Sequence, residues 1–235
     1  MLKTKISTIP VDCFINMGEA VDYILREGKG KIAVAINPEK ILAALKEESV
    51  KDALLRADIR YLDGIGTVKV AERKLNQKLM RIPGCELWES LMKESRKQNK
   101  SVFLLGANSD VVGQTQRKLE LQYNTNIIGI NDGFFNDDNK MIQRLLALQP
   151  DILTVAMGSP RQELFMQKCK KAGLNSFMMG VGGTYNVYVG SVKRAPEFWR
   201  NLNLEWLYRL ICEPSRLLRQ LKLSKFILLA LSEKI

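Results

Sequence analysis

The 235-residue chain contains no histidine, which removes imidazole acid/base chemistry, histidine triads and most zinc sites. Any general base must be a carboxylate or something rarer. Cysteine is scarce as well: Cys13, Cys85, Cys169 and Cys212 lie far apart, form no C-x-x-C pair and sit within apolar or helical patterns. They read as ordinary thiols of a reduced compartment, without a metal or redox role. No stretch holds eighteen apolar residues in a row, and the longest, Phe226 to Leu231, is too short to span a bilayer. The basic start, Met1-Leu2-Lys3-Thr4-Lys5-Ile6-Ser7, is not followed by a continuous apolar region, so no secretory signal is expected and the body of the chain is expected in the cytoplasm. A complete G-x-G-x-x-G is missing, as are a Walker loop and any D-x-D pair. Handling a diphosphate would then fall to arginines and backbone N–H groups, with neither metal nor cofactor.

What is present fits a folded, anion-seeking protein. A hydrophobic content of 46% over this length supports a substantial core, in one large domain or one domain plus an appendage, and excludes a disordered class. The formal charge of +11 suggests an anionic partner such as a nucleotide diphosphate, nucleic acid or an acidic membrane surface.

Five apolar runs each end in small and polar residues. Ile32 to Ile36 leads into Asn37-Pro38-Glu39, Ile59 to Leu62 into Asp63-Gly64-Ile65-Gly66, and Val102 to Leu105 into Gly106-Ala107-Asn108. Ile127 to Ile130 leads into Asn131-Asp132-Gly133, and Ile152 to Met157 into Gly158-Ser159-Pro160-Arg161-Gln162-Glu163. Helical patterns follow at roughly 20–27, 38–45, 68–75, 87–97, 111–122, 141–148 and 160–172. This alternation predicts an α/β fold, Rossmann-like, with a mostly parallel sheet and helices on both faces. Ligands of such sheets lie beyond the carboxyl ends of the strands, where Asn37, Asp63, Gly106, Asp132, Gly158 and the Gly180-Val181-Gly182-Gly183 turn all fall. The turn at Ser159 to Gln162 offers a hydroxyl, a proline suited to a first helical turn, a cation and a carboxamide beside free backbone N–H groups. It reads as a site for a phosphate or sugar hydroxyl, or as a plain helix start.

The C-terminal part has a different pattern. Arg209, Arg216, Arg219, Lys222 and Lys225 stand against the single acid Glu213, and Pro214 opens a new helix. On a helical projection Leu217, Leu221, Leu228 and Leu231 share one side, with Arg216, Arg219 and Lys222 on the other. The expectation is an α/β core over residues 1–195 and a basic helical appendage over 196–235. That appendage either packs on the core with a solvated charged face or lies on a membrane surface, its leucines in the lipid interface.

Taken in order, Asp63-Gly64-Ile65-Gly66, Arg81-Ile82-Pro83-Gly84, Val102 to Gly106, Asn131-Asp132-Gly133-Phe134-Phe135, Met157 to Glu163, Gly180 to Gly183, Val192 to Pro196 and Leu204 to Leu210 resemble the WecG/TagA/CpsF family of bacterial glycosyltransferases over nearly the whole chain. Ala35 to Lys40, Val155 to Pro160 and Met179 to Tyr185 are most similar to the branch that transfers N-acetyl-D-mannosaminuronic acid (ManNAcA) in enterobacterial common antigen synthesis. The resemblance implies transfer from UDP-ManNAcA to undecaprenyl-diphosphate-linked GlcNAc, with inversion, by an enzyme peripherally associated with the inner face of the cytoplasmic membrane. An N-acetylmannosaminyltransferase of teichoic acid or capsule synthesis is the alternative within the family.

Such a transfer needs a base for the acceptor hydroxyl, and a strand-end carboxylate serves when burial raises its pKa. The resemblance assigns this to Asp63, whereas Asp132, in the Asn-Asp-Gly turn, could as easily be a turn-former. It assigns Arg209, Arg216 and Arg219 to the departing diphosphate. Asn37 and Gln162 are expected to meet donor sugar groups, or else to cap a helix and to lie on a helix surface. Gly106, Asp132, Phe134, Ser159, Gly182, Gly183 and Asn186 complete the expected substrate-binding set. Ala35, Phe134 and Asn186 depart from residues common in the family, namely threonine, tyrosine and aspartate. A rival from another class is a non-catalytic nucleic-acid or membrane-binding module, supported by the charge but not by an aromatic content of 7% or by the C-terminal concentration of basic residues.

Overall fold

In the computed structural model, residues 1–202, 204–212 and 217–232 are described. The chain runs β1 (Leu2–Ile6), β2 (Ile9–Cys13), α1 (Met17–Glu27), β3 (Ile32–Ile36), α2 (Pro38–Ala44), α3 (Glu48–Leu55), β4 (Ile59–Leu62), α4 (Ile65–Leu75), α5 (Gly84–Lys97) and β5 (Val102–Gly106). It continues through α6 (Ser109–Tyr123), β6 (Ile127–Asn131), α7 (Asp138–Leu148), β7 (Ile152–Ala156), α8 (Arg161–Lys171), β8 (Phe177–Gly180), α9 (Thr184–Tyr188), α10 (Glu197–Asn201), α11 (Glu205–Cys212) and α12 (Leu217–Leu231). The strands form one sheet in the order β1-β2-β4-β3-β8-β7-β5-β6, parallel except for the β1–β2 hairpin.

Strands that are apolar at every position must be covered on both sides. Alternate residues divide between two cores accordingly. Ile32, Val34, Ile36, Phe103, Leu105, Leu153 and Val155 face α2, α3, α4, α7 and α8. Ala33, Val102, Leu104, Ile152 and Ala156 face α1, α5, α6 and α9, around Trp88 and Tyr185. The expected α/β sheet with helices on both faces is present.

The elements that escaped the sequence pattern include the β1–β2 hairpin, α3 and α9. The β1–β2 hairpin adds an antiparallel edge, its short alternating Leu2-Lys3-Thr4-Lys5-Ile6 hidden within what reads as a basic leader. Lys3 and Lys5 are exposed on this edge, where charge discourages pairing with a further strand. Helix α3 has no side-chain cap at Glu47, so the usual start signal is absent.

The appendage meets the core. Helix α12 lies on α2 and α4 and turns Phe226 inward, 1% exposed, with Leu229 and Ala230 partly buried beside it. A Cβ on Gly66 would lie 3.2 Å from the Phe226 ring. Leu228 and Leu231 of the expected leucine row remain exposed, as does Ile227, and the side chains of Leu217 and Leu221 lie outside the described residues. Phe226, which the sequence pattern did not single out, is the aromatic anchor of this helix on a floor that includes Gly66.

At the end of β5, Gly106 adopts φ +119°, and a Cβ there would meet the Ala156 carbonyl oxygen at 2.4 Å. The Ala107 N–H donates to that same oxygen at 2.9 Å. Gly106→Ala is therefore expected to destabilise the fold by roughly 2–4 kcal/mol through strain and collision with fixed backbone, measurable by urea denaturation.

Candidate active site

Strands β3 and β8 are neighbours at the centre of the sheet, yet their outgoing connections leave for opposite faces: α2 on one, α9 on the other. This divergence opens a crevice at the carboxyl ends, the position where open α/β sheets hold ligands. Two loops line one side. Gly64 admits Pro38, since a Cβ at 64 would stand 2.5 Å from Pro38 Cδ, so the turns after β3 and β4 are in direct contact. Asn37 therefore lies next to the Asp63–Gly64 turn.

Asp63 is half-buried at the end of β4. Its backbone N–H donates to Ile36 O at 3.0 Å, and Oδ1 accepts from the Gly84 N–H at 3.3 Å. The tyrosine two residues earlier, Tyr61, is fully buried below it, and its hydroxyl has no hydrogen-bond partner among the described residues. Burial first, then the charges of Asp63, Cys85 and Glu163, hold that phenol well above its ordinary pKa, so it stays neutral. Gly84 is needed here because a Cβ would come within 2.9 Å of the Tyr61 hydroxyl. Arg81, in the same segment, pairs with Glu205 of α11 at 3.6 Å, and Glu86 accepts from Arg194 at 2.5 Å. These two pairs tie the wall beside Asp63 to the C-terminal part of the chain.

Across the crevice, α8 presents Gln162 and Glu163, 4% and 1% exposed. Gln162 was expected on a helix surface or in contact with a ligand; it is buried, and its carboxamide bonds to the protein. Gln162 Oε1 accepts from the Gly182 N–H at 3.1 Å and Nε2 donates to Glu163 Oε1 at 3.2 Å. The amide lies on Gly180, whose Cβ, if present, would be 2.6 Å from Nε2. Lys40 Nζ, from α2, donates to the same Glu163 Oε1 at 2.8 Å. Glu163 Oε2 is buried without a hydrogen-bond partner among the described residues.

The remaining expected residues divide plainly. Asn37 Oδ1 accepts from the Lys40 N–H at 2.9 Å and so caps α2, the bland role anticipated for it. Asp132 is a turn-former: Oδ2 accepts from Ser109 Oγ at 2.6 Å and Oδ1 from the Phe134 N–H at 2.9 Å. These bonds, Ser109 first, hold its carboxyl below the ordinary carboxylate range. Phe134 is 74% exposed and Ser159 is exposed, both at the rim beyond the strand ends. Gly182 has φ +53°, the left-handed conformation that the Gly180–Gly183 turn requires. Gly183 is exposed beside it, and Asn186 is half-buried in α9. Arg209 and Arg219 belong to α11 and α12, but their side chains, like Arg216 altogether, lie outside the described residues. Burial pushes the thiols of Cys13 and Cys85 up to about 11 and that of Cys169 to about 12, so all three are protonated at neutral pH; Cys212 has no described side chain.

Sequence reasoning missed Lys40, Tyr61 and the burial of Glu163. A charged residue in a first helical turn normally faces water, and only the approach of α2 to α8 closes over this one.

The sequence matches the family described as "Glycosyl transferase WecG/TagA/CpsF family" over residues 4–235. That span takes in both walls of the crevice and the appendage docked beside them. Enzymes of this kind use a nucleotide-sugar donor and a lipid-linked acceptor and fit cell-envelope polysaccharide biosynthesis. The chain belongs to the WecG/TagA/CpsF family and is a glycosyltransferase.

Proposed function

We infer that the chain transfers ManNAcA from UDP-ManNAcA to undecaprenyl-diphosphate-linked GlcNAc, with inversion at the anomeric carbon and Asp63 as general base. The observation that carries the reading is the place of Asp63 at the end of β4, next to the Asn37 turn after β3. Asp132 has both oxygens engaged and its pKa lowered, which makes it a poor proton acceptor. Asp63 stands beside the central crevice in the Asp63-Gly64-Ile65-Gly66 motif, steadied by the Gly84 amide. In the transfer the GlcNAc hydroxyl attacks the anomeric carbon, its proton passes to Asp63, and the bond to UDP breaks with the electron pair leaving on the diphosphate. Arg209, Arg216 and Arg219 are the groups proposed to meet that charge, as donors whose hydrogen bonds to an ionised partner contribute about 1.5–3 kcal/mol each. Asn186, in place of the family's common aspartate, removes a negative charge from the wall that a uronate donor would face.

A polyprenyl-linked acceptor requires the enzyme to come to the lipid. Among the described residues no helix is long and apolar enough to cross a membrane. Residues 196–235 are proposed as the surface anchor: Phe198, Leu202, Ile211, Ile227, Leu228 and Leu231 are exposed apolar side chains on α10 to α12 and the turn between the first two. Interfacial burial of such side chains, together with nearby lysines and arginines, suits the inner face of an anionic membrane.

Asp63→Asn is expected to lower kcat by roughly 10²- to 10⁴-fold while UDP still raises the melting temperature, whereas Asp132→Asn stays within about fivefold of the native rate. Equal losses in the two variants would refute the assignment of the base. Donor identity is read by mass spectrometry of products from UDP-ManNAcA, UDP-ManNAc and UDP-GlcNAc in competition, with the ManNAcA product expected to dominate. Thermal stabilisation by UDP and not by an oligonucleotide is expected, which separates the enzyme from a nucleic-acid-binding module. Replacing Ile227, Leu228 and Leu231 together by serine is expected to abolish flotation with anionic vesicles and leave the UDP-induced stabilisation intact.

A further inference from the structure

The Lys40–Glu163 pair is an expensive way to hold two helices together. A carboxylate that is 1% exposed loses its hydration, and the single oxygen that binds Lys40 and Gln162 recovers only part of that cost, because Oε2 has no partner among the described residues. Packing alone would be served better by an apolar pair. What the charge does achieve is direction. Glu163 Oε1 receives one N–H from α2 and one from Gln162, which orients the Gln162 amide with its oxygen toward the Gly182 N–H. The relay starts at the helix capped by Asn37 and ends at the glycine turn after β8, joining both walls of the crevice.

We propose that Glu163, held by Lys40, is a positioning residue for the donor: through Gln162 it sets the conformation of the Gly180–Gly183 turn against which the nucleotide sugar binds. The proposal rests on the glycosyltransferase reading and assigns to Gln162 a clamping role in place of direct contact with the sugar. Glycine at 180 and 182 suits this role. The first gives the Gln162 amide room and the second supplies a left-handed backbone, so the turn has little stiffness of its own and takes its shape from the clamp.

The test combines kinetics with amide exchange on the full chain. Glu163→Gln is isosteric but accepts more weakly and leaves the Lys40 charge uncompensated. It is expected to raise the donor KM at least tenfold, with kcat and the acceptor KM within about twofold, and to speed exchange of the Gly182 amide by tenfold or more. Lys40→Met should have the same signature, and the double variant should be no worse than the poorer single one, because the two act as a unit. Lys40→Arg should restore most of the donor KM. The proposal is overturned by an unchanged donor KM, or by losses in donor KM, acceptor KM and kcat that all follow a fall in melting temperature. A native chain that transfers no sugar sinks the glycosyltransferase reading and not the clamp, whose Gly182 exchange rate still decides it.

Discussion

Parallel pairing is the constraint on which the rest of this structure depends. A strand whose two faces are both buried cannot return to a parallel neighbour by a tight turn, so each link must cross the sheet as a helix. Every loop leaving the carboxyl edge then becomes the start of a helix, and seven such loops crowd one side of the molecule. The residues found there, Asn37, Asp63, Asn108, Asp132, Gly158 and Gly182, are small or polar because they must break a strand, start a helix, or both. Chemistry is assembled from residues that the fold already demands.

The same economy shows in the bonds these strand-end side chains make. Asn37, Asn108 and Asp137 each accept an N–H of the helix that follows, and Asp132 is tied to its own turn and to Ser109. After β4 the cap position of α4 is taken by Gly64, and the Asp63 carboxylate accepts from the Gly84 N–H.

The sheet was legible in the sequence because its signal is local: apolar runs of four to six residues, each closed by Asn, Asp or Gly, repeat through the core. The Asp63 and Gly182 turns were legible for the same reason. What could not be read is long-range. Lys40 and Glu163 are 123 positions apart, each looks like an exposed helical charge, and their burial arises only where α2 and α8 converge. The burial of Gln162 was hidden because nothing in its neighbours reveals that Gly180 leaves a slot for it. Phe226 was hidden in a leucine-rich stripe, and its inward turn depends on Gly66, far upstream.

Helix α12 consequently has two separate affinities. Phe226, with Leu229 and Ala230, determines how firmly it stays on the core, whereas Ile227, Leu228 and Leu231 determine how it partitions into any apolar surface. The two sets point in different directions, so the helix has no need to leave the protein in order to enter an interface. Because it rests on α2 and α4, which begin at Asn37 and next to Asp63, the plane of that interface and the opening of the crevice would keep a constant angle. A substrate tethered in the bilayer would thus arrive in a fixed orientation, with its tail held by the lipid and its sugar end presented to the strand edge.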